Sequence, residues 1–185
     1  MKNCTLFVTL FLSVVITTNL FSQEIEWRKI NFGLNVSYFL PEKDVNEFWG
    51  SAIEVGGELQ YGLSEQLFLG SGIHFSYFKS KKEESIPNFY HISIPLEIKA
   101  LFFIESKIKL FTAGGIQNNT YIFVGDAAER LDDNNIESEF GVFITVGVRF
   151  TLWDIEGVEI YTKYQTVFTS PNSTEFINIG TRFFF

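Results

Sequence analysis

The chain has 185 residues, the length of one domain, with 22 phenylalanines and a formal net charge of −8. A soluble domain of this size would need a large core to bury so much Phe, whereas a barrel in lipid places apolar side chains outside and polar ones inside. The acidic balance, without a stripe of Lys and Arg, excludes nucleic acid as a partner.

The first residues have the pattern of a secretory signal peptide. Lys2 supplies the initial positive charge, and residues 6–16 form an apolar run that is too short to cross a bilayer. A more polar stretch follows and ends at Ser22. We therefore predict a cleavable signal peptide over residues 1–22 and an outer-membrane barrel domain over residues 23–185, with an uncleaved anchor as the alternative.

Cys4 is the only cysteine of the chain, and it lies inside the predicted signal peptide. The mature domain then has no cysteine for a disulfide or a thiolate metal site. A lipidated cysteine would follow the apolar run, whereas Cys4 precedes it, so the sequence does not predict a lipoprotein.

The mature domain alternates between apolar and polar residues with a period of two, which is typical of β-strands with one apolar face. In the first strand the apolar positions are Ile30, Phe32, Leu34, Val36, Tyr38 and Leu40, and the positions between them include Asn31, Gly33, Asn35 and Ser37. The alternation predicts eight strands, over about residues 30–40, 51–61, 67–79, 89–103, 107–124, 138–151, 157–168 and 175–185. The fifth is the least regular, and Gly114 and Gly115 are expected to mark a bend there.

The connections between these strands alternate in length. Three are short, over residues 62–66, 104–106 and 152–156, and four are longer and more polar, over residues 41–50, 80–88, 125–137 and 169–174. This asymmetry is typical of a transmembrane antiparallel up-and-down β-barrel with long loops outside the cell and both mature termini in the periplasm. The sequence therefore predicts an all-β protein of the outer membrane of a Gram-negative bacterium.

A soluble lipocalin-like barrel is the main alternative, because it too has eight alternating strands. The many charged residues on the predicted inner face disfavour it. Aromatic residues near the predicted strand ends favour a bilayer, where they form girdles at both interfaces. These residues are Tyr38, Tyr61, Tyr77, Tyr90, Phe150 and Phe168.

Two segments resemble a known family. Residues 91–99, HISIPLEIK, resemble the "IPL" strand of PorT-like outer-membrane β-barrel domain proteins, and residues 110–115, LFTAGG, resemble that family's aromatic-x-Ala-Gly strand. The resemblance implies a barrel fold and supplies no catalytic residues. Pro95 lies in the first segment, and because proline donates no hydrogen bond to a strand ladder, we expect a bulge or an irregular point there.

The chain ends in an alternating strand whose last residues include Phe183 and Phe185. An aromatic end on such a strand resembles the recognition signal of the outer-membrane assembly machinery. We therefore predict these two residues as an assembly signal and the barrel assembly machinery as a partner during biogenesis.

Charged residues on the polar faces form the most informative cluster. We predict an interior polar network of Glu54, Glu58, Glu97, Lys99, Arg149, Glu159, Lys163 and Arg182. An eight-stranded barrel is just wide enough for side chains to fill it, and buried opposite charges are expected to pair, with Glu54 or Glu159 as the partner of Arg182. A narrow gated channel, opened when pairs exchange partners, is the functional alternative.

Two His-x-Ser pairs are present, at His74 with Ser76 and at His91 with Ser93. An outer-membrane lipid A deacylase uses a pair spaced this way, but its pair faces lipid, whereas both pairs here fall on the predicted inner face. We therefore predict no enzyme activity and no catalytic residue, with a lipid-modifying enzyme of the deacylase type as the alternative. We also predict no cofactor and no metal site.

The sequence thus predicts a monomeric outer-membrane barrel with a structural or loop-mediated interaction role. Its expected partners are outer-membrane lipid and lipopolysaccharide. The lysines of residues 79–84 would contact the phosphates of lipopolysaccharide. No specific activity follows from the sequence.

Overall fold

Eight β-strands make up most of the described chain. The computed structural model describes residues 30–82, 84–103, 106–130, 135–152, 155–169 and 173–185, so the predicted signal peptide, residues 1–22, lies outside the described residues. The strands are β1 (Ile30–Pro41), β2 (Ala52–Gly62), β3 (Leu67–Phe78), β4 (Asn88–Phe102), β5 (Ile108–Val124), β6 (Ile136–Leu152), β7 (Ile155–Phe168) and β8 (Ser173–Phe184).

The strands close into one barrel. Each pairs antiparallel with its neighbours in sequence, and β1 also pairs with β8, which places Leu34 opposite Phe183 and Tyr38 opposite Ile179. Closure matters because an open sheet edge leaves backbone donors and acceptors that lipid cannot satisfy. The predicted antiparallel up-and-down barrel of eight strands is confirmed.

The two ends of the barrel differ. β1 begins and β8 ends at the same end, which we call the turn end, and the connections β1–β2, β3–β4, β5–β6 and β7–β8 lie at the other end, which we call the loop end. The first of these connections contains a short helix, α1 (Lys43–Phe48), and the third contains a 3-10 turn at Ala128–Arg130. In the described part of the chain, no helix has the length and apolar character needed to cross a membrane.

Apolar side chains cover the outside of the barrel. In β1, exposed and buried residues alternate as the sequence predicts, and Phe32 is 60% exposed. A water-soluble monomer rarely exposes so large a continuous apolar surface, whereas lipid requires one. The exposed band includes Leu34, Val36, Ile53, Val55, Ile73, Phe75, Ile94, Leu110, Ile144, Val146, Ile160 and Ile179.

The predicted girdle residues all lie near strand ends. Four are exposed at the loop end, and Tyr77 and Tyr90 pack there with ring centres 5.0 Å apart. Tyr61 and Phe150 lie toward the turn end and are half-buried. Their positions suit the interfaces of a bilayer, where amphipathic rings are favoured. The four exposed residues are Tyr38, Tyr77, Tyr90 and Phe168.

Pro95 interrupts the pairing of β3 with β4. Ser71 pairs with Leu96 and His74 pairs with Ser93, and the described ladder has no pair between them. The register is the same on both sides, so the irregular point is a local interruption and not a bulge. The Ser71 hydroxyl donates a hydrogen bond to the Pro95 carbonyl at 2.8 Å and fills part of the gap.

Gly114 and Gly115 do not break β5. The register against β4 and against β6 continues without a shift through both residues. Gly115 faces the interior opposite Glu97, and a Cβ atom there would overlap the carbonyl oxygen of Leu96. This glycine therefore permits close approach of two strand backbones, and the bend expected at these residues stays a prediction.

Candidate functional site

A layer of charged and amide side chains fills the middle of the barrel. All eight residues of the predicted network are buried, each 7% exposed or less. Four carboxylates thus face four basic side chains, which is the arrangement that makes buried charge tolerable. The residues are Glu54 and Glu58 on β2, Glu97 and Lys99 on β4, Arg149 on β6, Glu159 and Lys163 on β7, and Arg182 on β8.

Arg182 is the centre of this layer. Its Nε lies 3.1 Å from Oε1 of Glu58, and its Nη1 lies 3.0 Å from Oε1 of Glu97 and 3.8 Å from Oε2 of Glu159. The guanidinium also stacks over the ring of Tyr161, 4.6 Å from its centre. Of the two partners expected for Arg182, Glu159 is therefore a more distant contact, and the prediction of Glu54 is wrong. The stagger of the strands brings Glu58 and Glu97 closer to the guanidinium.

Two more cations pair with Glu159 toward the turn end. Lys99 Nζ lies 2.7 Å from Glu159 Oε2, and Arg149 Nη1 lies 3.6 Å from Glu159 Oε1. Both cations also stack on the ring of Phe184, at 5.1 Å and 5.3 Å from its centre. Rings beneath the charges add cation–π attraction where water is excluded.

Glu54 lies on the loop-end side of the layer with weaker partners. Its Oε1 accepts a hydrogen bond from the Ser37 hydroxyl at 3.0 Å and lies 3.6 Å from Nδ1 of His74. The other ring nitrogen of His74 contacts Glu58 at 2.9 Å. Lys163 instead donates to the Gln117 amide oxygen at 2.7 Å. His74 thus links the two carboxylates of β2.

Apolar layers lie above and below the charges. At the loop end we define the aromatic layer as Phe39, Phe78, Phe89, Tyr121 and Phe176, which are all buried and pack edge-on or stacked. At the turn end, Leu101, Phe111 and Phe184 are buried. Sequence reasoning missed these residues because it assigned Phe to the lipid face. The alternation in the sequence does indicate that these rings face the interior. Phe39 shares the strand face of Asn35 and Ser37, and Phe184 lies two residues from Arg182 on the same face.

The interior contains one arrangement with the form of a nucleophile and its base. The Ser76 hydroxyl lies 3.2 Å from Nδ1 of His91, whose Nε2 lies 3.0 Å from Oδ1 of Asn119. The pairing runs across β3 and β4, and the predicted pairs within single strands, His74 with Ser76 and His91 with Ser93, have no hydrogen bond in the described structure. All three residues are at most 2% exposed and lie beneath the aromatic layer.

No group of three or more His, Cys, Asp or Glu side chains within the described residues is arranged to hold a metal ion. Three of the interior carboxylates, those of Glu58, Glu97 and Glu159, contact Arg182 or Lys99 of the chain itself.

The last residues of the chain complete the barrel wall at the turn end. Phe183 is opposite Leu34 and Val158, and its side chain is half-buried. Phe185 is 57% exposed, and its backbone N–H donates to the Phe32 carbonyl at 2.8 Å. The aromatic end is thus paired with β1 at its backbone and presented on the outside at its side chain.

Comparison with known proteins finds similarity in structure alone. No family model matches the sequence, and no curated protein matches it. The structure is similar to that of Neisserial surface protein A, with a TM-score of 0.65 at 11% identity over 84% of this chain and 96% of the other. The N-terminal β-barrel domain of OprF from Pseudomonas aeruginosa gives 0.54 at 10% identity, over 84% and 97%.

The chain has the fold of these small eight-stranded barrels. At such low identity the likeness concerns the fold and carries no ligand or activity across.

Proposed function

We propose that the protein is an integral outer-membrane β-barrel without enzyme activity, whose role is structural or depends on contacts made by its loop end. The observation that carries this proposal is the inverted distribution of side chains. Apolar residues such as Phe32 and Ile53 are exposed, whereas Arg182 and its carboxylate partners are buried. A membrane barrel needs this distribution, because lipid surrounds it and side chains fill its lumen.

The loop end faces outside the cell in this proposal, and both mature termini are periplasmic. The connections β1–β2, β3–β4 and β5–β6 at the loop end are longer than the turns at the other end, which supports this orientation. The prediction of a fourth long connection is wrong, because β8 begins at Ser173 and leaves the β7–β8 connection as short as the β2–β3 turn. Likeness in fold to a protein named as a neisserial surface protein is consistent with an exposed loop end.

The lumen does not conduct ions in this proposal. The charged layer lies between the aromatic layer and the buried Leu101, Phe111 and Phe184, so a solute would meet packed rings from either end. Arg182 and its three carboxylate neighbours occupy the space between. A gated channel would need several of these contacts to separate together.

The outer-membrane deacylase alternative depends on a histidine and a serine that face lipid. Both histidines of the chain, His74 and His91, point into the lumen and are at most 2% exposed. Among the described residues, Ser76 has the only serine hydroxyl that forms a hydrogen bond with a histidine ring, and it is 1% exposed. This burial supports a structural role for the Ser76–His91–Asn119 chain.

Two partners belong to this proposal. Lipopolysaccharide phosphates would contact the exposed lysines at the loop end, among them Lys81 and Lys82. The assembly machinery would read the exposed aromatic end at Phe185. Membership of the PorT-like family is also part of the proposal, and it depends on the two sequence segments at residues 91–99 and 110–115.

Fractionation combined with gel migration tests the proposal. The protein should sediment with outer membranes, and unboiled samples should migrate differently from boiled ones, because a closed barrel resists detergent until it is heated. Lipid A from cells with and without the gene should have the same mass spectrum. A soluble product, or one without the heat shift, would contradict the membrane barrel, and a change in lipid A acylation would contradict the absence of enzyme activity.

A further inference from the structure

A cavity opens at the loop end, above the aromatic layer. Its volume is about 210 Å³, and its walls include Trp49, Phe89, Tyr121 and Phe123, with Glu137 and Glu139 at one side. A neighbouring cavity of about 320 Å³ shares Trp49, Phe123 and Glu137 with it. We call the two together the loop-end cup.

The aromatic wall of the cup is held in place. The Trp49 indole N–H donates to the Pro87 carbonyl at 2.8 Å, and its ring packs edge-on against Phe89 with centres 5.3 Å apart. Phe89 in turn contacts Phe123 at 5.8 Å. Rings fixed by their neighbours form a preorganised surface, which lowers the entropy cost of binding.

The carboxylates of the cup have no cationic partner among the side chains that the structure describes. Glu137 and Glu139 project from the same face of β6, and no described basic side chain lies within ion-pair distance of either. The surroundings are acidic as well. Across residues 41–51, 79–88, 125–139 and 169–175, the basic residues are Lys43, Lys79, Lys81, Lys82 and Arg130, against twelve acidic ones. A cation is therefore the complementary ligand.

Tyr121 supplies a second polar group. It is 9% exposed and opposite Glu137 in the β5–β6 register, and its ring stacks on His91. None of the hydrogen bonds between described residues uses its hydroxyl, although it lines the cup. The hydroxyl borders the cup, so a ligand donor or acceptor there can form a hydrogen bond with it.

In the wall of the cup, β6 extends beyond its described pairing with β7. β7 pairs with β6 only from Phe140 onward, so residues 136–139 pair with β5 and with no other described strand. A strand edge without a described neighbour offers backbone donors and acceptors to an added strand. Glu137 and Glu139 lie on this edge and point to the cup side.

We propose that the loop-end cup binds an extended basic segment of another polypeptide. The segment adds a strand to residues 136–139 of β6, and every second side chain then faces the cup. One Lys or Arg lies against Glu137 and Glu139 and within reach of the Tyr121 hydroxyl, and its charge also faces the rings of Trp49 and Phe123. The inference rests on the proposed function, because the segment must approach from outside the cell.

Binding to the purified full-length barrel in lipid nanodiscs tests this inference. The probe is a dye-labelled peptide of alternating Arg and Val, compared with the same peptide carrying Glu in place of Arg and with free arginine amide. The Arg peptide should bind and quench Trp49 fluorescence, and raised salt should weaken it, since charged contacts at an open site are screened. Equal binding of the Glu peptide would overturn charge recognition, and equally tight binding of arginine amide would overturn strand addition.

Matched variants locate the site. E137Q/E139Q should weaken the Arg peptide by about tenfold or more, because both carboxylates lose their charge. E129Q removes an exposed acid of the 3-10 turn outside the cup and should leave affinity within about twofold. Equal affinity of E137Q/E139Q and wild type would refute the site. The heat-dependent gel shift of the same preparations shows whether the barrel is intact, so a failure of binding is distinct from a failure of the membrane-barrel proposal.

Discussion

The guanidinium of Arg182 on β8 reaches across the lumen to the carboxylate of Glu97 on β4, with Nη1 3.0 Å from Oε1. These two strands are opposite one another in the closed barrel. The contact therefore ties together opposite walls that share no backbone hydrogen bonds. Glu58 on β2 adds a third attachment at 3.1 Å.

Replacing Arg182 by alanine should leave the barrel able to insert but less stable. The change strands Glu58 and Glu97 without their main cation in a buried site. Removing one partner of a buried ion pair costs about 3–5 kcal/mol where water stays out, and less where it enters. The urea midpoint of refolded protein in lipid vesicles measures this loss.

A double variant separates lost charge from lost packing. In E97Q/R182A one stranded carboxylate is neutral, so part of the lost stability should return relative to R182A. R182K should lie between R182A and wild type, because lysine keeps the charge but not the forked geometry. Wild-type stability of R182A would show that the Arg182 cluster does not hold the barrel together.

Phe185 should affect assembly of the barrel and not the packing of its lumen. Phe185 closes against β1 through its N–H bond to Phe32 and exposes its ring. If the assembly machinery reads this ring, F185A should lower the amount of inserted barrel and leave protease-sensitive chain in the periplasm. F102A, at an exposed aromatic of the same end, is the control and should insert normally. Equal insertion of both variants would argue against a terminal signal.

Two neighbouring glycines give a matched test of the barrel wall. A methyl group at Gly115 would overlap the Leu96 carbonyl, whereas at Gly114 the nearest atom is the Phe143 carbonyl oxygen, 3.7 Å away. G115A should therefore cost about 1–3 kcal/mol, the usual range for overpacking, and G114A should be close to neutral. Urea unfolding in vesicles compares them. Similar midpoints would mean that the β4–β5 contact can relax.

Alternation in the sequence was sufficient to predict the strands and the interior charges. The side-chain period of two is a local property, and Glu54, Glu58 and Arg182 all lie on the face that parity assigned to them. Pairing partners could not be predicted the same way. The ion-pair partners depend on the stagger of the strands around the barrel. This stagger places Glu58 next to Arg182 and Glu54 next to His74.

The loop-end cup was beyond sequence reasoning for a different reason. Trp49, Tyr121 and Glu137 lie in separate segments that meet only after the barrel closes. The strand pattern includes Tyr121, but it predicts a start of β6 at residue 138 and so places Glu137 in a loop. The structure starts β6 at Ile136, which extends the strand beyond its described pairing with β7.

Orientation can be tested with protease on intact cells. Trypsin should cut at the loop end, near Lys81 or Arg130, because the proposed orientation places the longer connections outside the cell. Lys107, exposed at the turn end, is the control and should be cut only after permeabilisation. Buried Lys99 and Lys163 should stay intact in both conditions. The reverse order of cleavage would mean that the barrel lies the other way across the membrane.

The packed lumen predicts an absence of steady conductance in a planar bilayer. Ions would have to pass the aromatic layer and then the ion pairs of Arg182, in a barrel with room only for its own side chains. Wild-type protein should show no stable openings. F39A/F176A thins the aromatic layer and should also stay closed, because the charged layer below is unchanged. Adding E97S and R182S to that variant also removes side chains from the charged layer. This four-residue variant, with both layers thinned, should show small, brief openings. Stable openings of the wild-type protein, with currents altered by R182A, would establish the gated channel in place of a solid barrel.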